Sequence, residues 1–152
     1  MCSSLKGRLT RARAALRPSR KRQAGALCWR RAGDGIEILL ITTRRTGRWI
    51  VPKGGRMRDK TASESAAIEA WEEAGVIGAV AEEPIGAFET LKFRDDGTWA
   101  RLAVDLFPLE VERLEESFPE KGQRVVRWWP QKDAAGQVRE RQLRRLLAGF
   151  TP

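Results

Sequence analysis

The 152-residue sequence predicts an α/β (α+β) fold in which a mixed β-sheet is covered by helices on its faces. Strand-like apolar runs occur before, between and after two helical stretches, and glycine or aspartate marks most of the turns that separate them. The length suits one domain that buries its own core without disulfide bonds or structural metal. We therefore expect a single mixed sheet with helices on both sides.

The first strands are predicted as a hairpin. Gln23 to Arg30 and Ile36 to Thr43 are β-type runs, and Ala32-Gly33-Asp34-Gly35 between them is typical of a hairpin loop. A short apolar segment, Arg48 to Pro52, follows and ends at a proline. Lys53-Gly54-Gly55 then allows a tight turn, because glycine lacks a side chain.

The clearest helix signal lies at the centre of the chain. Thr61 followed three residues later by Glu64 forms a capping box, and Ala62 to Glu73 is rich in helix-forming residues. Gly75 is expected to end this helix, because glycine readily takes the left-handed conformation of a C-cap.

The C-terminal half predicts three strands and a second helix. Ile85 to Phe93 and Thr98 to Leu109 are expected to flank a turn at Asp95-Asp96-Gly97. Val125 to Trp129 is predicted as a further strand. Gln137 to Ala148 is predicted as a closing helix, because its apolar residues fall on one face and arginines surround the rest.

The composition excludes several classes of site. The chain has no histidine, which removes the usual zinc ligand and every catalytic triad that depends on imidazole. Only Cys2 and Cys28 are present, so we expect a reducing, cytoplasmic environment rather than a disulfide framework. Since no apolar run approaches the roughly 20 residues of a membrane helix, no membrane association is expected.

The positive charge is concentrated at the N-terminus. The net charge is +9, and residues 1–22 carry eight of the 29 basic residues and no acid, which leaves 21 basic against 20 acidic residues elsewhere. We divide the chain into a basic leader over residues 1–21 and a folded domain over residues 22–150. The leader is interpreted as a poorly ordered solvated tail, with a nucleic-acid or anion-binding arm and an organelle transit peptide as alternatives.

Three glutamates on the first helix form the candidate chemical centre. Glu69, Glu72 and Glu73 have i, i+3 and i+4 spacing, which places their carboxylates on one side of the helix. Like charges at this spacing repel, and the last turn of a helix disfavours negative charge, so a bound cation would stabilise the arrangement. Carboxylates suit Mg²⁺ or Mn²⁺. The alternative for the glutamates alone is a solvated acidic helix end.

The segment from Gly54 to Val76 resembles the Nudix box. The box runs as Gly, five residues, Glu, seven residues, Arg-Glu-aliphatic-any-Glu-Glu-any-Gly-aliphatic, and six positions match its spacing: Gly54, Glu69, Glu72, Glu73, Gly75 and Val76. Lys60 stands where the box has Glu, Ile68 where it has Arg, and Ala70 is a small aliphatic residue. The resemblance implies a Nudix-like fold, with Mg²⁺ or Mn²⁺ held by the three glutamates and Gly54. Since both partners of the box's Glu–Arg brace are absent, support for the loop is expected from elsewhere.

The likeness extends over roughly residues 22–150 and is nearest the diphosphoinositol polyphosphate phosphohydrolase branch of that family. It rests on the Arg48 to Pro52 segment, on the strand from Val125 to Trp129 and on basic residues that flank them. The resemblance implies that five basic residues bind substrate phosphates: Lys21, Arg22, Arg45, Lys53 and Arg124.

The implied reaction is attack of water on a phosphoanhydride phosphorus in an anionic small molecule such as a polyphosphate, nucleotide or inositol pyrophosphate. The general base is left open between Glu72 or Glu73 and a residue of the acidic loop, Glu116 or Glu120. A non-catalytic scaffold that binds nucleotide or RNA is the alternative function, motivated by Lys60, Ile68 and the basic leader. Either a monomer or a homodimer is compatible with the sequence.

Overall fold

The computed structural model describes residues 21–152, so the predicted leader, apart from Lys21, lies outside the described residues. Within them, eight strands and three helices follow in chain order: β1 (Lys21–Ala32), β2 (Gly35–Thr42), β3 (Trp49–Ile50), β4 (Lys53–Gly55), α1 (Ala62–Ala74), β5 (Val76–Val80), β6 (Gly86–Phe93), β7 (Trp99–Leu114), β8 (Val126–Pro130), α2 (Gln131–Gln137) and α3 (Arg141–Gly149). No helix of this part of the chain is long and apolar enough to cross a bilayer.

All eight strands belong to one mixed sheet. Its main path is β3-β2-β1-β7-β5, with β4 paired to β1, β6 to β7 and β8 to β2. β1 and β7 run parallel, and the other pairs are antiparallel. Seven consecutive β1 residues, 23–29, are buried, although their side chains alternate between the two faces of the sheet. Both faces at the centre of the sheet are therefore covered, and the predicted fold class is confirmed.

Helix α1 forms where the sequence predicts it. Thr61 is the N-cap, and its hydroxyl accepts the Glu64 N–H at 3.1 Å. At the other end Gly75 takes a left-handed conformation with φ 71°, and its N–H bonds to the carbonyls of Ala70 and Trp71. Small residues on the inner face, Ala66 and Ala70, are fully buried, which lets the helix pack closely on the sheet. This close packing brings the glutamates of α1 next to β4.

The predicted closing helix over residues 137–148 is wrong in its extent. Two shorter helices, α2 and α3, replace it, because the chain between them is extended: Val138 has φ −82° and ψ 145° and is fully buried. Glu140 precedes α3, and its carboxylate binds Arg48 and Thr90 instead of capping the helix. Helix α2 was not predicted, since seven residues with two glutamines and a glycine give little periodic signal.

Two further strands add to the predicted set. β4 forms within the glycine segment that was predicted as a turn, and it pairs with β1 so that Gly54 lies opposite Ala24. β5 follows the first helix directly and pairs with β7 through an irregularity at Ile77 and Gly78. A Cβ on Gly78 would lie 2.1 Å from the main-chain oxygen of Glu110, so only glycine permits this approach.

Candidate active site

A cavity of about 990 Å³ opens beside the N-terminal half of β1, and it contains most of the predicted site residues. Its wall is built from β4, α1, β6, the loop between β2 and β3, and the segment that leads into β8. Six of the nine predicted site residues line it: Arg45, Lys53, Gly54, Glu69, Glu73 and Arg124. The fold therefore brings the acidic and the basic candidates into one space.

Gly54 meets the carboxylate of Glu69 directly. A Cβ built on Gly54 would lie 2.1 Å from the Glu69 Cδ and 2.2 and 2.4 Å from its two oxygens. These separations are far below van der Waals contact, so the side chain of Glu69 occupies the space that only glycine leaves open. The glycine of β4 thereby allows the Glu69 carboxylate to lie against the main chain.

Glu73 is the most buried acid of the site, with 4% of its surface exposed. Its Oε1 accepts the Lys53 N–H at 3.1 Å, and its Oε2 lies 3.1 Å from Nη2 of Arg124. Burial nevertheless dominates and raises the pKa of Glu73 to about 8, while Arg124 and the Lys53 N–H act in the opposite direction. Near neutral pH a proton and a cation therefore compete for this carboxylate.

Glu69 is electrostatically linked to both other glutamates of α1. Burial and repulsion from Glu72 raise the pKa of Glu69, and a hydrogen bond with the side chain of Glu73 acts in the opposite direction. Glu72 is half-buried and does not line the cavity, and its carbonyl oxygen accepts the Glu120 N–H at 2.9 Å. Of the three α1 glutamates, Glu69 and Glu73 line the cavity, and their carboxylates favour a positive charge between them.

The donor set fits magnesium or manganese rather than a metal held entirely by protein. Within residues 21–152 no three acidic or thiol side chains form a complete metal cage. Mg²⁺ typically uses one or two carboxylates and completes its octahedral shell with water and substrate phosphates. Glu69 and Glu73 supply such a pair, and Gly54 leaves the space in which the Glu69 carboxylate lies.

Arg124 lies against the acids of the site. Its side chain is 12% exposed, and its Nη2 lies 3.1 Å from Glu73 and 3.5 Å from Glu120, while Nη1 donates to the carbonyl of Thr42 at 3.2 Å. Glu120 is in turn held by its N–H to the carbonyl of Glu72. The guanidinium therefore joins α1 to the acidic loop that precedes β8.

The sequence is similar to those of known hydrolases. No family model matches the sequence. The chain is 33% identical over 121 residues to Nudix hydrolase 12, mitochondrial, of Arabidopsis thaliana, which covers 76% of this chain and 58% of that protein. It is also 33% identical over 98 residues to diphosphoinositol polyphosphate phosphohydrolase 3-alpha of Mus musculus, covering 64% and 56%. The relatives that this chain resembles are therefore a Nudix hydrolase and a diphosphoinositol polyphosphate phosphohydrolase.

Solved structures of two hydrolases share the fold. A C. elegans Ap4A hydrolase aligns with a TM-score of 0.59 at 20% identity, covering 84% of this chain and 93% of that one. The E. coli dihydroneopterin triphosphate pyrophosphohydrolase aligns with a TM-score of 0.64 at 16% identity, covering 86% and 94%. The chain spans little more than half the length of the curated relatives described above.

The altered Nudix box is braced by other contacts. Lys60 is exposed and Ile68 is half-buried, so neither replaces the Glu–Arg brace of the family pattern. Instead, the fully buried Ser65 accepts the Met57 N–H on its hydroxyl at 3.0 Å, which ties the loop to α1. The Ser65 hydroxyl therefore supports the loop, and Arg124, which contacts the acids from the other side, supports the helix.

The predicted phosphate-binding residues divide into two groups. Lys53 lines the cavity, where burial lowers its pKa and its Nζ donates to Gln23 Oε1 at 3.2 Å. Arg45 lies at the cavity edge and pairs with Asp95 at 3.1 Å. Lys21 and Arg22 do not line the cavity, and Arg22 forms an ion pair with Asp105. The hydrogen bond from Arg22 to Asp105 raises the pKa of Arg22.

Sequence reasoning missed a second charged group on the cavity wall. Arg48 donates through Nη1 to both oxygens of Glu140 at 2.9 and 3.0 Å, and Arg48 Nη2 donates to Thr90 at 3.2 Å. Lys92 and Arg139 line the same cavity. These residues are far apart in the chain, with 92 positions between Arg48 and Glu140, so no local motif marks them.

Proposed function

We propose that this chain hydrolyses a phosphoanhydride bond in an anionic small molecule with the help of Mg²⁺ or Mn²⁺. The observation that carries the proposal is the contact between Gly54 and the Glu69 carboxylate beside the buried Glu73. A helix with a purely structural role needs neither two neighbouring acids, one of them buried, nor a glycine that makes room for a carboxylate. The 33% identity to a Nudix hydrolase over 121 residues supports the same reaction class.

The roles of the residues follow from their positions. Glu69 and Glu73 would hold the metal, with main-chain support from Gly54, and Glu72 is the third candidate ligand. When bound, the metal would neutralise charge on the phosphate oxygens and lower the pKa of the attacking water. Lys53 and Arg45, on the wall of the same cavity, would bind the substrate phosphates.

Hydrolysis makes one bond and breaks one. The oxygen of water bonds to a phosphorus of the anhydride, and the bond from that phosphorus to the bridging oxygen breaks, so the leaving phosphate carries the electron pair. The proton of the water passes to a carboxylate. We propose Glu120 for this step because it lines the cavity, whereas Glu116 is exposed outside it. Glu72, which does not line the cavity but neighbours Glu73 on α1, is the alternative.

Candidate substrates are taken from the relatives and the cavity. The proposal includes diphosphoinositol polyphosphates, in line with the named activity of the mouse relative, and dinucleoside polyphosphates, in line with that of the nematode structure. Both classes are polyanions. Seven basic residues line the cavity, among them Lys53, Arg48 and Lys92, and they support a substrate with more than one phosphate.

The test is release of phosphate from a panel of substrates: diphosphoinositol polyphosphates, diadenosine polyphosphates, ADP-ribose and nucleoside triphosphates, each with Mg²⁺ and with Mn²⁺. We expect Glu69→Gln, Glu72→Gln and Glu73→Gln to lose turnover by about 100-fold or more while the fold is retained. Glu83→Gln, in an exposed loop, is the matched control and should retain activity. Near-normal turnover in Glu73→Gln would refute the assignment.

A binding scaffold without catalysis is the second candidate function. It is favoured by the ion pair of Arg124 with Glu73 and by the absence of a three-carboxylate cage from the described residues. The scaffold predicts tight nucleotide or RNA binding without metal-dependent phosphate release. Deletion of residues 1–18 separates the roles of the leader: loss of RNA affinity with unchanged turnover identifies a nucleic-acid arm.

We keep the cytoplasm as the proposed location. The thiol of Cys28 is free and fully buried, which is compatible with a reducing compartment. The plant relatives have mitochondrial or chloroplastic names. A fluorescent fusion of the whole chain tests the location, because retention in an organelle would contradict it. Light scattering of the purified chain distinguishes a monomer from a homodimer.

A further inference from the structure

Two aromatic side chains form an exposed pair at the edge of the cavity. Phe93 ends β6 and Trp99 begins β7, and the two residues are cross-strand partners. Their ring centroids are 5.0 Å apart at an interplanar angle of 64°, an edge-on arrangement. Trp99 is 57% exposed and Phe93 is 36% exposed, and both line the cavity that contains Glu69 and Glu73. The indole therefore has surface available for a ligand.

The hairpin that carries this pair has a well-bonded turn. The Arg94 N–H donates to the Thr98 carbonyl at 2.7 Å, and the Asp96 carboxylate accepts both the N–H and the hydroxyl of Thr98 at 2.9 and 2.6 Å. Gly97 takes φ 85°, which glycine accommodates without strain. Because the turn is held in this way, the two rings are presented in a defined orientation.

A cation completes the aromatic pair. Cζ of Arg45 lies 4.8 Å from the centroid of the Phe93 ring, and its Nη2 pairs with Asp95, whose side chain is fully exposed. Arg45 comes from the loop between β2 and β3, so the site joins two separate parts of the fold. A guanidinium beside aromatic rings can bind phosphate and stack on flat groups.

The other tryptophans are less available for stacking. Trp99 is the only exposed tryptophan among residues 21–152. Arg30 lies 4.0 Å over Trp128, and Arg127 lies 3.8 Å over Trp129, so a cation already covers a face of each ring. Adjacent large apolar side chains exposed inside a cavity are typical of a ligand-binding surface.

We infer that Trp99, with Phe93 and Arg45, is a stacking site for the nucleobase of a nucleotide whose phosphates lie at Glu69 and Glu73. The phosphate end of this inference rests on the proposed function. A nucleobase offers the flat π face that an exposed indole stacks on, whereas an inositol ring does not. The site therefore favours nucleotide substrates over diphosphoinositol polyphosphates.

The experiment compares a ligand that has a base with one that has none. Affinities of the whole chain for α,β-methylene-ADP and for inorganic tripolyphosphate are measured by calorimetry in the presence of Mg²⁺. Trp99→Ala should weaken methylene-ADP binding by about 5- to 100-fold, the range for loss of one base–aromatic stack, and should change tripolyphosphate binding less than about twofold. Trp99→Phe keeps a ring and should retain most of the affinity. Leu114→Ala, an exposed apolar residue outside the cavity, is the matched control.

Several outcomes would overturn the inference. Equal weakening for both ligands would mean that Trp99 supports the cavity in general. Unchanged affinity for methylene-ADP would exclude stacking, and a change of oligomeric state without a change of affinity would assign the aromatic pair to self-association. Failure of the proposed function looks different: the wild type would bind methylene-ADP through Trp99 but release no phosphate from any substrate. In that case the stacking site stands and the hydrolase assignment falls.

Discussion

Replacing Gly54 by alanine tests whether activity depends on the position of the Glu69 carboxylate while the fold is retained. The added Cβ would lie 2.1 Å from Glu69 Cδ, where carbon atoms in contact are normally separated by about 3.5 to 4.0 Å. The conflicting atoms are at the end of a flexible side chain, and Gly54 does not have a positive φ. The Glu69 carboxylate can therefore move away while the backbone stays in place.

The expected result is loss of activity without loss of stability. Displacing one metal-binding carboxylate should reduce kcat/KM by about 100-fold, which corresponds to about 2.7 kcal/mol of transition-state stabilisation. The free energy of unfolding should change by less than about 1 kcal/mol, because alanine also restricts the unfolded chain. Urea denaturation and phosphate release at saturating Mg²⁺ measure the two quantities separately.

The matched control is the neighbouring residue of the same strand. A Cβ on Gly55 meets no atom within 4 Å and requires no positive φ, so Gly55→Ala should retain activity and stability. Wild-type activity in Gly54→Ala would refute the reasoning, because the Glu69 carboxylate would then not need its position. Unfolding of Gly54→Ala would refute it as well, since the contact would be structural.

Three further predictions concern the charges and the helix cap. Because burial raises the pKa of Glu73 from 4.5 to about 8, its contribution to metal-free stability is complete below pH 4.5 and is lost as the pH rises to about 8. The Tm of the metal-free wild type should therefore fall more between pH 5 and 9 than that of Glu73→Gln, and parallel curves would contradict the shift. Arg124→Ala removes the cation that pairs with Glu73 and should lower the free energy of unfolding, measured by urea denaturation, by about 2 to 4 kcal/mol. The loss should be smaller than for a fully buried ion pair because Glu73 can take up a proton. Arg22→Ala, which breaks an exposed ion pair, is the control. A smaller loss of stability in Arg124→Ala than in Arg22→Ala would show that Arg124 does not stabilise the site. Thr61→Ala removes the N-cap hydrogen bond and should cost about 1 kcal/mol, which thermal melts can detect against an unchanged Glu83→Gln control.

The sequence predicted the elements whose signals are local. The capping box at Thr61 and Glu64 and the stop at Gly75 need only a few neighbouring residues, and α1 begins and ends at them. The hairpin of β1 and β2 is also local, because Gly33 and Asp34 determine the turn. By contrast, the break at Val138 depends on burial of that side chain and on the pairing of Glu140 with Arg48, which no local pattern encodes.

The residues of the site also divide into those with a local sequence signal and those without one. Glu69, Glu73 and Gly54 follow one spacing rule within 20 residues, and the fold brings them together. The family resemblance predicts that Arg124 binds phosphate, and this stays a prediction. Its contacts with the carboxylates of Glu73 and Glu120 form because the acidic loop folds onto α1, which no local pattern indicates. The exposure of Trp99 depends on the position of the β6–β7 turn beside the cavity, so its sequence neighbours gave no signal.

The most direct test of the metal assignment is anomalous diffraction from crystals grown with Mn²⁺ and α,β-methylene-ADP. The account predicts a manganese peak about 2.0 to 2.3 Å from carboxylate oxygens of Glu69 and Glu73, with phosphate oxygens completing the shell. It also predicts that Arg124 loses its contact with Glu73 or shares that carboxylate with the ion. A bound nucleotide with no manganese peak at these acids, and with Glu73 still paired to Arg124 alone, would contradict the central claim.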